Sequence, residues 1–188
     1  MTTLQYVILF IYLIFLVIIL FLFVSVIIGL IMARGVPFVS TPRSKYRRIL
    51  QAVGLRPGET IYDVGCGKAS LLILAAKEFG AKGIGYELSL WPYLWARFNI
   101  FISRADVKVY LKNFFKANLA DADVVYCYLF PEIMARLEPK FAAELKPTAR
   151  VVSYGFKLPQ TEPISITDTR KDGKQLDRIF VYQFNQDR

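Results

Sequence analysis

From Val7 to Met32 the chain reads VILFIYLIFLVIILFLFVSVIIGLIM, a run with no polar face, interrupted only by Ser25 and Gly29. A helix rises ~1.5 Å per residue, so this run crosses a ~30 Å hydrocarbon core with room for tilt. It predicts one transmembrane helix. The preceding MTTLQY is uncharged and the apolar run is long, whereas a cleaved secretory signal carries basic residues ahead of a shorter one. The helix is therefore expected to remain as an anchor. Arg34, Arg43, Lys45, Arg47 and Arg48 follow it. By the positive-inside rule they hold the C-terminal part on the cytoplasmic side, or on the matrix side of a mitochondrial inner membrane.

Beyond the run the pattern changes. Thr41-Pro42 reads as a helix N-cap followed by proline at the first helical position, and Gly54 as the end of a short lead-in helix. From Thr60 onward, short apolar runs alternate with helix-length amphipathic segments. Strands are predicted near 60–64, 82–87, 106–110, 123–128, 149–155, 164–168 and 178–184, and helices near 68–79, 90–104 and 131–145. Such alternation implies parallel βαβ units. The last two strands are joined only by TRKDGKQL, with a turn signal at Asp172-Gly173, so an antiparallel hairpin is expected there. The fold class is thus α/β: a Rossmann-like, doubly wound, seven-stranded and mostly parallel sheet ending in an antiparallel hairpin, preceded by one transmembrane helix. The divisions are an anchor over 1–33, a basic juxtamembrane segment with the lead-in helix over 34–58, and the α/β domain over 59–188.

The formal charge is +9, from 24 basic and 15 acidic residues, and no charged side chain precedes Arg34. That excess suits anionic lipid, nucleic acid or acidic protein without choosing among them. With only Cys66 and Cys127 there is neither a disulfide framework nor zinc-ligand spacing. The chain has no histidine, which excludes Ser-His-Asp and Cys-His machinery and histidine-ligated metals. No metal ligand set is predicted.

ETIYDVGCGKASLLILAAKEFGAKGIGYELS, from Glu59, carries the chemistry. TIYDV is the first strand, and GCG is a tight turn that leaves backbone N–H groups open to a ligand as the next helix begins. The second strand ends in Glu87, about 20 residues past Gly67, where a carboxylate can accept both ribose hydroxyls of an adenosine. A dinucleotide fingerprint needs Gly or Ala at its sixth position, which here is Ser70. Asp63, two residues before the first glycine, is poorly placed for a pyrophosphate and well placed for the ammonium of an amino acid. S-adenosylmethionine contains that ammonium.

DVGCG and GYELS resemble motif I and the acidic loop of class I, seven-stranded S-adenosylmethionine-dependent methyltransferases. With VPFVSTP, NFFK, LEPKFAAELKPTARVVSYGFKLP and LDRIFVY, the chain is similar to the membrane-anchored lysine methyltransferases of the ATP synthase c-subunit and the adenine nucleotide translocase, and to their prokaryotic relatives. The resemblance implies S-adenosylmethionine as cofactor, with Asp63, Gly65 and Gly67 at its methionine end and Glu87 at its ribose. It places Asn113 and Phe114 at the adenine. The family pattern D-x-G-x-G-D-G-R becomes DVGCGKAS here, so Lys68 replaces an acid and Ala69 a third glycine. An alanine is accommodated if its φ is negative inside the helix start. Lys68 either pairs with the ligand carboxylate or opposes a sulfonium.

The fourth strand ends in YCYLFP, and Tyr126, Tyr128, Phe130 and Pro131 are candidates for an apolar passage that would deprotonate a substrate amine by desolvation. This is not the Asn/Asp-Pro-Pro-aromatic sequence of nucleic-acid amino-methylating enzymes, so the resemblance points away from nucleic acid and toward a membrane-protein substrate. The expected activity is protein-lysine N-methylation. Methylation of a lipid or quinone, and a non-catalytic scaffold, are the alternatives. Trp91, Tyr93, Trp95, Phe98 and Phe101 fall on one predicted helix and are expected to pack on the sheet, with lipid headgroups the second option.

Overall fold

A computed structural model describes residues 2–32, 41–168 and 177–184. The apolar run forms one helix, α1 (Thr3–Met32), and the lead-in segment forms α2 (Arg43–Ala52). Then come β1 (Thr60–Val64), α3 (Ser70–Phe79), β2 (Lys82–Glu87), α4 (Leu90–Ser103), β3 (Val107–Leu111), a single 3₁₀ turn at Phe114–Lys116, β4 (Val124–Cys127) and α5 (Pro131–Glu144). β5 (Arg150–Tyr154), β6 (Ser165–Asp168) and β7 (Arg178–Gln183) complete the chain. The seven strands lie in the order β3-β2-β1-β4-β5-β7-β6. β1 to β5 are parallel, and β7 runs antiparallel to both β5 and β6. The fold class matches the sequence reading. Arg34 and the Asp172-Gly173 turn lie outside the described residues.

The central strands are buried on both faces, which is why they read as unbroken apolar runs rather than alternating ones. One core joins Ile61, Val124 and Val152 to Leu71, Leu72 and Ala75 of α3, and it includes Tyr46, Ile49 and Leu50 of α2. The other packs Val125, Val151 and Phe180 against Met134, Leu137 and Phe141 of α5. The lead-in helix therefore shares a core with the sheet. Arg150 fastens its far end: Nη1 donates to the carbonyls of Val53 at 2.8 Å and Gly54 at 2.7 Å, and Nη2 reaches Glu59 at 2.5 Å.

Strand order reverses at β1, which has β2 on one side and β4 on the other. At such a switch point the loops leaving the two strands diverge and open a crevice at their carboxyl ends. Thr41 borders this crevice in an unexpected role. Its hydroxyl does not cap α2, whose N-cap position is taken by Pro42 without a side-chain bond. It hydrogen-bonds the buried Tyr126 hydroxyl on β4 instead. A buried phenol left without a partner would cost more than an uncapped helix end facing solvent.

Candidate active site

The GCG turn is built by backbone geometry that side chains resist. Gly65 and Gly67 have φ of +141° and +51°, and the Cys66 amide donates to the Tyr86 carbonyl at 3.0 Å. Directly beneath, a Cβ on Gly85 would lie 2.7 Å from Cys66 Sγ and 3.0 Å from Leu72 Cδ1. The glycine in β2 is thus what allows turn and sheet to touch. Ala69, which precedes α3, has φ +59°. The expected negative φ is not found: the alanine takes the left-handed conformation a third glycine would have taken, because the turn geometry is set by the chain on both sides.

Glu87, at the end of β2, is buried and accepts three backbone N–H bonds, from Gly67 at 3.0 Å, Leu88 at 2.9 Å and Ser89 at 2.8 Å. The carboxylate is held against the turn before any ligand arrives. Asp63, two residues before the turn, is buried on β1 and makes no hydrogen bond among the described residues, yet it lines a cavity of about 280 Å³. Burial, and secondarily the charge of Glu87, push its carboxyl up to about 8. A buried carboxyl that makes no hydrogen bond among the described residues and lines a cavity is suited to a cation.

Gly65, Cys66, Gly67, Lys68 and Ser70 form one wall of the cavity, and Tyr126, Tyr128 and Leu129 another. Thr41, Pro42, Arg43 and Tyr46 close it from the α2 side. These four were not singled out as ligand-facing from sequence. The only available signal was their place just before a nucleotide turn, and a short amphipathic helix there has no distinctive spacing. Arg43 supplies a cation within the same lining as Asp63, which suits an amino acid carboxylate. Lys68 places its ammonium 5.8 Å from the centre of the Trp95 ring, and its carbonyl accepts from Asn99. Burial raises the Cys66 thiol well above its ordinary range, so it is no nucleophile.

The remaining predicted residues lie in different places. Tyr128 lines the cavity and packs edge-on to Tyr154 at 5.1 Å, and Phe156 lies between Tyr128, at 6.3 Å, and Phe130, at 5.7 Å. Phe156 was missed because it follows β5, far away in sequence. Pro131 opens α5 at its first position and is exposed, a stereochemical role for a residue with no amide hydrogen to lose. Asn113 Oδ1 accepts the Phe115 amide at 3.0 Å, capping the 3₁₀ turn, and Phe114 is buried against the core. Both stand outside the residues that line the cavity.

The helix α4 corrects the sequence reading. Trp91, Trp95, Phe98 and Phe101 do not pack on the sheet; they are exposed, by 50%, 43%, 55% and 81%. Ala96 is buried, and Tyr93 and Ile100 pack against the core. With apolar residues on every side of the helix, spacing could not tell which would face inward.

This geometry has known counterparts. The profile described as the ANTKMT methyltransferase domain matches residues 63–165. A protein-lysine N-methyltransferase of Saccharolobus islandicus is 32% identical over 78% of this chain and 92% of its own length. The adenine nucleotide translocase lysine N-methyltransferase of Mus musculus is 33% identical over 78% of this chain, which spans only 62% of that protein. The crystal structure of an RNA methyltransferase from Salinibacter ruber, in complex with S-adenosyl-L-homocysteine, aligns with a TM-score of 0.74 at 26% identity. The alignment covers 80% of this chain and 96% of that one. With a buried acid before the glycine turn, a second acid pinned to it and a matching profile across both, the chain belongs to the ANTKMT methyltransferase family and is an S-adenosylmethionine-dependent methyltransferase.

Proposed function

We propose that this chain methylates the side-chain amine of a lysine in a membrane protein, working from a bilayer in which α1 is anchored. The observation that carries the reading is the aromatic group of Tyr128, Phe130 and Phe156 beside the cavity that Asp63 lines. S-adenosylmethionine supplies an electrophilic methyl group on a sulfonium, and in-line transfer to an amine needs alignment more than covalent help. Asp63 would hold the ligand ammonium, Arg43 its carboxylate and Glu87 its ribose hydroxyls. The turn amides and the wall from Thr41 to Tyr46 would exclude water. A lysine entering between aromatic rings loses hydration, which lowers its pKa and frees the lone pair, while ring faces tolerate the methylated cation that leaves.

The two curated relatives named for lysine support this substrate class, and one of them is named for a membrane carrier. α1 is long and apolar enough to cross a bilayer over Thr3–Ile28, and the basic residues after it favour a cytoplasmic or matrix-side domain. The Salinibacter protein is named for RNA, and a charge of +9 suits a polyanion, so RNA belongs in the same test. The full chain, reconstituted in vesicles, is incubated with methyl-labelled cofactor, membrane fractions and total RNA. Methyl-lysine in an integral membrane protein is the expected product. Label recovered only in lipid extracts or only in RNA would replace the proposed substrate, and no transfer despite cofactor binding would leave a scaffold.

A further inference from the structure

The exposed residues of α4 form a stripe. Trp91, Leu94, Trp95, Phe98, Phe101 and Ile102 recur at three- and four-residue intervals and so share one side of the helix, opposite the buried Ala96. They remain exposed even though α1 touches α4. Cations border the stripe on both flanks. At about 100° per residue Arg97 falls to one side, and on the other Lys68 lies over Trp95. Indole rings in a cationic frame are the composition of helices that lie in the headgroup region.

The neighbouring element agrees: the helix that α4 touches is α1, the one long and apolar enough to cross a bilayer.

We propose that this side of α4 is a second membrane contact, seated at the headgroup and acyl boundary of an anionic bilayer beside α1; this rests on α1 being the anchor. Because Lys68 both touches Trp95 and lines the cavity, the seated helix brings the rim of the cavity to the membrane surface. Target lysines then lie at headgroup level rather than on a projecting domain.

The only tryptophans of the chain, Trp91 and Trp95, are both in the stripe, so intrinsic fluorescence reports on it alone. The full chain is reconstituted in phosphatidylcholine and phosphatidylglycerol vesicles with or without brominated acyl chains, checked by flotation and titrated with iodide. Flotation, loss of most of the emission to bromine and little loss to iodide are expected. In Phe98→Asp/Phe101→Asp, both changes being on exposed side chains, bromine quenching should fall while cofactor affinity stays unchanged. Flotation with quenching by iodide alone would mean that α4 faces water, and would overturn this inference while leaving the anchor intact. Flotation with protection from both quenchers would mean a protein cover, such as a second copy, and would also overturn it. Failure to float would remove the anchor and this contact together.

Discussion

Glu87 accepts the Gly67 amide at 3.0 Å, so the acid that closes β2 and the turn that follows β1 form one hydrogen-bonded unit. Three N–H groups converge on that carboxylate. In Glu87→Gln an amide NH₂ must face at least one of those donors. The folded state is expected to lose about 1–3 kcal/mol, the cost of an unsatisfied buried donor. Calorimetric titration should show cofactor affinity weakened by tenfold or more, since ribose and turn draw on the same two oxygens. Unchanged affinity would place the ribose elsewhere.

Asp63 sets a pH dependence of known sign. Its carboxyl titrates near 8 in the folded protein and near 4 when unfolded. Between those values the folded state binds the extra proton, so ligand-free stability falls as pH rises through that window. A cofactor ammonium needs the ionised form. Affinity should therefore climb from pH 6 to about 8 and then level off, with proton release on binding at the lower end. Asp63→Asn should bind weakly and without this slope, which titrations across pH in two buffers of different ionisation enthalpy would read.

Ala69 sits at φ +59°, a conformation that costs an L-residue ~1–2 kcal/mol. Ala69→Gly would relieve that strain but lose a buried methyl group worth ~0.8 kcal/mol and raise chain entropy in the unfolded state by ~0.4–1 kcal/mol. The contributions nearly cancel, and denaturation should place this variant within about 0.5 kcal/mol of the parent. A β-branched side chain has no such balance. Ala69→Val is expected to lose upwards of 2 kcal/mol. A glycine variant more stable by over about 1 kcal/mol would mean that the methyl contributes no packing.

Gly85 should be the least replaceable glycine of β2. A methyl there lies 2.7 Å from Cys66 Sγ and 2.8 Å from its Cβ, so Gly85→Ala is expected to cost about 1–3 kcal/mol and weaken cofactor binding by displacing the turn. Removing both obstructing atoms with Cys66→Gly should restore part of the loss. A double-mutant cycle should give a coupling of at least about 1 kcal/mol; additive effects would show that the damage arises elsewhere.

Strands were the most legible part of the sequence. β1 and β2 fall on 60–64 and 82–87 as read, because strands buried on both faces are short apolar runs ended by glycine and charge. The acid-turn-acid constellation was legible for a related reason: its spacing follows from one strand, one turn and one helix, all local. What failed was long-range or two-sided. Thr41 looked like a cap because its partner, Tyr126, is 85 residues away. Phe156 joins Tyr128 across a β4–β5 pairing that no local pattern displays. The stripe on α4 was assigned to the core because apolar residues on all sides of a helix carry no direction. Ala69 kept its glycine-like backbone because the turn, and not the residue, sets φ.

The wall contributed by Thr41, Pro42, Arg43 and Tyr46 has a practical meaning for trimming the protein. A cut just before β1 would carry away one side of the cavity along with α1, leaving a sheet whose Tyr126 hydroxyl has lost its partner. Among the described residues, the shortest piece that keeps every cavity-lining residue begins at Thr41, nine residues after α1 ends at Met32. Fragments that start later should fold poorly or lose the cofactor, so the lead-in segment from Thr41 and the sheet should be inherited, moved between proteins or lost as one module.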